Sequence, residues 1–421
     1  MKGVRLVLVM LFILVLCLGT ISAAPQRKVK IDKILRNLQA ENRIEVRQYV
    51  KNAEWTWVEV DYYDEQYPLT IDLLFSNEDD PSRVAYLVAP CGYNFRSNYF
   101  TPPSRNIAHF MRANDYLVVG ITFREDHLPL NQVDQSVLSW GLAKHRSDMH
   151  EVIAAIQHEI QLPYELLGQS SAAVCVLDYA ARYRDPKFKK ITILDTDSFD
   201  PALQPEKVAY ANMTYDAVNA LIGQGIYANP FVKSFKDLIF AAFLYPDLDS
   251  GQARPYNLPG NFTFNGLLHF SLIYTAFLPG LYTPITGLPG EWVMVQGASA
   301  GYYNFQLDPR ADDFALLQTD AGILPQAAGQ FGEGTTPIAI DRDIYALLSL
   351  NGAYTIDWKG IQEKVVMING QLSSGNQTYY GTRIREAGNT DVSIHIIPGY
   401  GYADLLYGTN AERDVWTYFL E

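Results

Sequence analysis

Two periodicities alternate along most of the chain. Apolar runs rich in β-branched and aromatic residues read as strands at 55–62, 69–75, 84–89, 116–122, 164–167, 191–194, 365–368 and 392–397. Between them apolar residues recur at helical spacing, as Ile107, Phe110 and Met111, then Met149, Val152, Ile153, Ile156 and Ile160, then across 171–182. A closing amphipathic helix would carry Ala411, Val415, Trp416 and Phe419, and the charged stretch 31–51 leans towards helix. Strands and helices alternating at these lengths predict an α/β fold with a mostly parallel central sheet flanked by helices. The alternation lapses between about 201 and 360, where Pro259-Gly260, Pro279-Gly280 and Pro289-Gly290 punctuate aromatic stretches such as 267–277. That block reads as an insertion into one sheet domain, dividing the chain into 1–24, 25–200, 201–360 and 361–421.

Residues 1–24 are set apart by composition. Lys2 and Arg5 precede an unbroken apolar run at 6–18, and Ser22-Ala23-Ala24 offers small residues for cleavage, the pattern of a secretory signal. An uncleaved membrane anchor is the alternative. Export would leave Cys91 and Cys175, too few for a disulfide framework, and both are expected to be small buried hydrophobes. A single bridge between them requires Cα atoms within about 7 Å. The sequons at Asn212, Asn261 and Asn376 suit an exported glycoprotein.

Charge excludes some partners. Lys plus Arg is 33 against 46 Asp plus Glu, a formal net charge of −13 with no basic block to offset it locally. Nucleic acid and anionic membrane surfaces are thereby disfavoured.

The sharpest chemical signal is Gly168-Gln169-Ser170-Ser171-Ala172, between a strand pattern and a helix pattern. In G-x-S-x-G, small flanking residues let a strained turn lift a nucleophilic serine above a sheet. Here the last glycine is Ala172. The plainer alternative is a polar strand-to-helix turn in which Ser170 or Ser171 is an ordinary cap.

The order of elements from about residue 55 to 421, with this turn, the Cys91-Gly92 loop and the segment Pro398-Gly399-Tyr400-Gly401-Tyr402-Ala403-Asp404, resembles the α/β-hydrolase superfamily. The resemblance implies an α/β-hydrolase fold with an inserted cap or lid, Ser170 as nucleophile, and an oxyanion hole of backbone N–H groups from Ser171 and from Gly92 or Tyr93. It also implies a histidine base where this chain has Tyr402, and an acid commonly after the strand that here runs into Asn369-Gly370-Gln371. A tyrosine with a pKa near 10 does not replace imidazole as a base at pH 7. Asp195 and Asp197, after the strand at 191–194, offer an acid from the position some hydrolases use, and Asp197 is the one chosen. His127 and His269 are the histidines best placed to substitute as base.

The expected function is an exported serine hydrolase of the esterase or lipase type acting on a small apolar or acyl substrate. The alternative is a catalytically impaired relative that binds a ligand or partner. No metal motif, phosphate loop or cofactor signature appears in the sequence. The aromatic residues of the inserted block would line an apolar pocket or form that block's own core.

Overall fold

A computed structural model describes residues 44–421 apart from Asp64, Asp197, Tyr256, 274–297 and 374–377. The leader, Asp197 and Asn376 lie outside the described residues. The central sheet contains β1 (Ile44–Lys51), β2 (Trp55–Tyr62), β3 (Leu69–Ser76), β4 (Arg83–Val88), β5 (Tyr116–Thr122), β6 (Tyr164–Gln169), β7 (Phe188–Leu194), β8 (Lys364–Gly370) and β9 (Val392–Ile397). Its nine strands run in the order β1-β2-β3-β5-β4-β6-β7-β8-β9. The joins from β1 to β5 are antiparallel, and all others are parallel.

Strands β5 and β6 are buried along their whole length, which explains their continuous apolar character. Their side chains alternate between two cores. The helices that cover the sheet begin with α1 (Phe95–Tyr99) and α2 (Ile107–Ala113). On one face Val84, Tyr86, Val119, Leu166 and Ile191 pack under α3 (Leu142–Ile160) and α4 (Ser171–Arg182). On the other face Leu87, Val118, Leu167, Val366 and Ile368 pack with Ile107, Met111, Leu405 and Trp416.

The chain between β7 and β8 carries the inserted block. Its first and last helices, Pro205–Gly223 and Ile338–Leu348, bury Ala211, Val218, Ile340 and Leu347 in the same core as α3 and α4. The helices Phe231–Leu244, Phe264–Ile273 and Ile323–Ala328 instead bury Val232, Ile239, Leu268 and Leu324 against the opposite face. Among the described residues, no helix is long and apolar enough to cross a membrane.

Two expectations are corrected. Residues 44–51 are a strand, not helix. As an edge strand β1 is exposed on nearly every residue, so its charges mask the alternation, and pairing with β2 decides its conformation. The closing helix is also broken, into Ala411–Asp414 and a 3-10 turn Trp416–Leu420. The break seats the Trp416 ring in the core, where its Nε1 donates to the Leu405 carbonyl at 3.0 Å.

Candidate active site

The order of β4, β5 and β6 places the switch in chain direction at β4 and β6, and a crevice opens at the carboxyl ends of such strands. Ser170 follows β6 there. Its backbone has φ 55° and ψ −124°, a conformation that costs an L-residue of order 1–3 kcal/mol. The surroundings enforce it, because the Ser170 amide donates to the Asp195 carbonyl at 2.8 Å and α4 begins at the next residue. Gly168 makes the turn sterically feasible: a Cβ there would lie 2.6 Å from the Ala172 carbonyl oxygen. Ala172 itself is buried without conflict. Ser170 is half-buried.

The Cys91-Gly92 loop follows β4 and is tied to the elbow by the Cys91 amide, which donates to Ser171 Oγ at 2.9 Å. Gly92 has φ 79°, and a Cβ on it would meet Thr336 Oγ1 at 2.4 Å and Val232 Cγ2 at 2.9 Å. The inserted block therefore rests directly on this loop. The Tyr93 amide is committed to the Pro90 carbonyl at 3.0 Å, whereas the Gly92 and Ser171 amides have no acceptor among the described residues. Of the two amides considered in the loop, the one at Gly92 is thus free to face an anion.

Tyr402 lies beside Ser170, close enough for the serine to act on its phenol. Burial holds the Tyr402 phenol well above the ordinary tyrosine value. Tyr93 pushes the same way, and the neighbouring Ser170 opposes it only in part. Behind this pair, Gln169 Nε2 donates to the Tyr402 carbonyl at 3.2 Å, and Gln169 Oε1 accepts from Asn98 Nδ2 at 3.0 Å.

The turn itself is pinned by Asp404, whose carboxylate accepts from the Gly401 amide at 2.8 Å, the Ala300 amide at 2.6 Å and Thr319 Oγ1 at 2.6 Å. Two of those donors belong to the inserted block, so the block fastens the turn that aims Tyr402.

All seven histidines are described, and none hydrogen-bonds Ser170. His127 Nε2 meets Thr70 Oγ1 at 2.8 Å, and burial pushes its pKa down to about 4. His269 Nδ1 faces the Asn265 carbonyl at 2.9 Å, and burial lowers its pKa too.

Of the two acids after β7, Asp195 is fully buried with φ 41°. Its Oδ2 accepts from the Gly370 amide at 3.2 Å and from Ser373 Oγ. It therefore underpins the loop after β8, and its charge is felt at Tyr402. Gln371, at the commoner acid position, turns away: its Oε1 accepts from the Gly399 amide at 3.0 Å.

Both sequons within the described residues have half-buried asparagines. Asn212 is half-buried in a helix with Nδ2 on the Val208 carbonyl at 3.1 Å, and Asn261 donates to Asp249 Oδ2 at 3.2 Å. Cys91 and Cys175 are buried free thiols. Two cavities lie apart from Ser170. One of about 280 Å³ sits among Phe199, Leu347, Trp358 and Tyr379, and one of about 320 Å³ lies among Glu54, Asp79 and Arg112.

A candidate lipase of Sulfolobus solfataricus superposes with a TM-score of 0.56 over 89% of this chain and 97% of that one, at 17% identity. The chain has the α/β-hydrolase fold. A thermostable carboxyl esterase of Bacillus coagulans matches at TM-score 0.46 and 12% identity, covering 83% of this chain and 92% of its own. Epoxide hydrolase A of Mycobacterium thermoresistibile matches at 0.43 and 12%, covering 90% and 96%. No protein-family model matches the sequence, and no curated protein does. Within this α/β-hydrolase fold, Ser170, the Gly92 loop and Tyr402 converge at the carboxyl edge of the sheet.

Proposed function

We propose that this α/β-hydrolase-fold protein is an exported, esterase-like protein that seats a small apolar acyl or carbonyl ligand over Ser170 and turns it over slowly. The observation that carries this reading is that Tyr402, a buried phenol of raised pKa, lies beside Ser170 on a strained turn at the carboxyl end of β6. A protonated phenol does not remove the serine proton near neutral pH. The strained Ser170 backbone and the Gly92 and Ser171 amides, which have no acceptor among the described residues, support binding of a carbonyl, and of the oxyanion that forms when its carbon is attacked.

In the slow reaction the Ser170 oxygen attacks the carbonyl carbon and its proton passes to water. The alkoxide leaves as the acyl-enzyme forms, and water then releases the acid. Because no imidazole shuttles protons, activated leaving groups are favoured over natural alkyl esters.

A serine-directed fluorophosphonate tests the reading on the mature protein. Slow labelling that Ser170→Ala abolishes supports it. Labelling as fast as an ordinary esterase would mean an active hydrolase with an unseen base. No labelling of folded protein over many hours would leave ligand binding without covalent chemistry.

A further inference from the structure

The sequence shows no metal motif because the relevant residues come from three separate segments. Cys91 follows β4, Glu125 lies in the turn after β5, and His145 is on the first turns of α3. The structure brings their donor atoms within 4.8 Å of one another. All three are buried, at 7%, 1% and 2% exposure. Both Glu125 carboxylate oxygens and both His145 ring nitrogens are buried with no well-aligned hydrogen bond, and the groups in contact with Glu125 are His145, whose Nε2 lies 3.3 Å from Glu125 Oε2, and the Cys91 thiol. So poorly aligned a set of buried polar groups is costly in a core.

We infer that Cys91, Glu125 and His145 form a binding site for one divalent cation of the zinc type. Thiolate, imidazole and carboxylate are the donors such an ion takes, at bond lengths that set neighbouring donors about 3.3–3.7 Å apart. The Glu125–His145 separation of 3.3 Å already matches, and the thiol has only a short distance to close. One dication balances the charges of a thiolate and a carboxylate beside a neutral imidazole, leaving the buried group neutral. Phe123 stacks on the His145 ring at 3.9 Å between centroids and 7° between planes, which fixes the edge that the ring presents.

The ion would clip three elements together, and one of them is the loop that positions Gly92. The inference is independent of whether Ser170 is active.

The test uses untagged mature protein stripped with a chelator, with Co²⁺ and Zn²⁺ supplied both to the native protein and during refolding. The expected result is one Co²⁺ per chain with a thiolate-to-cobalt absorption band. Zn²⁺ should raise the melting temperature.

Since altering groups around metal ligands already costs 10- to 100-fold in affinity, Cys91→Ala should abolish the band and weaken Zn²⁺ binding at least about 100-fold. Cys175→Ala, at the neighbouring thiol outside the cluster, should keep both. Wild-type protein that takes up no stoichiometric cobalt by either route, or Cys91→Ala that binds as wild type does, would overturn the site. In either case the Glu125–His145 contact would be an ion pair only.

Discussion

Tyr402 lies beside Ser170, so the side chain that this turn brings to the elbow is a phenol whose pKa burial raises. If that phenol acted as base, Tyr402→Phe would cost the roughly 100- to 10,000-fold that general base catalysis is worth. We expect instead that Tyr402→Phe changes fluorophosphonate labelling and nitrophenyl ester hydrolysis by less than about threefold, because the wild-type phenol removes no proton. A loss of 100-fold would assign Tyr402 the base role.

Gly168→Ala should destabilise the protein by roughly 1–3 kcal/mol or more, since its Cβ would press on the backbone of α4 at Ala172. It should also displace Ser170 and slow its labelling. Gly223→Ala is the control: that position at the end of Pro205–Gly223 has open space around it, and the change should be neutral or stabilising by up to about 1 kcal/mol. Urea unfolding of the two variants checks both.

His127 is held neutral by burial at a pKa of about 4. A histidine in the unfolded chain titrates near 6.5, so the stability tied to its neutral state is complete above that pH and is lost as pH falls towards 4. His127→Asn should flatten the acid side of the stability profile by up to one proton over that window. An unchanged slope in denaturant midpoints measured from pH 4 to 7 would mean that the ring charges freely in the folded protein.

Arg254 staples the inserted block. Its guanidinium reaches Asp312 at 2.8 Å, with both side chains fully buried, and also the carbonyls of Pro259, Gln306 and Leu307. Arg254→Ala strands Asp312 and should cost about 3–5 kcal/mol. The loss should appear as early protease cleavage within 249–316. Cleavage at the wild-type rate would show that the pair is not structurally important.

How much of this could be read from the sequence depends on how local each signal is. The strands 116–122 and 392–397 and the helix 171–182 have the bounds that the pattern predicts, because burial dictates their composition. The strand-to-helix turn at Ser170 and the turn carrying Tyr402 lie where the pattern puts them, because a tight turn constrains its residues within a few positions. β1 does not follow the pattern, since an exposed edge strand is specified by its partner.

The acid near the site illustrates another limit. Asp195 and Asp197 are equivalent in sequence, and only the fold shows Asp195 buried under Gly370 and Ser373, 175 and 178 residues further on. The Cys91, Glu125 and His145 cluster is likewise assembled by three neighbouring elements and leaves no spacing to recognise.

On the proposed reading, a phenol stands where a base would make Ser170 reactive. The measurement is short-chain p-nitrophenyl ester hydrolysis by wild type, Ser170→Ala and Tyr402→His. Imidazole titrates near 6.5, and general base catalysis is worth roughly 100- to 10,000-fold. A gain of about 100-fold for Tyr402→His over wild type is expected, at the low end because Gln371 provides no carboxylate to fix the tautomer, and Ser170→Ala placed in the same variant should remove it. A folded Tyr402→His protein no faster than Ser170→Ala, or a wild type already as fast as Tyr402→His, would overturn the proposed function.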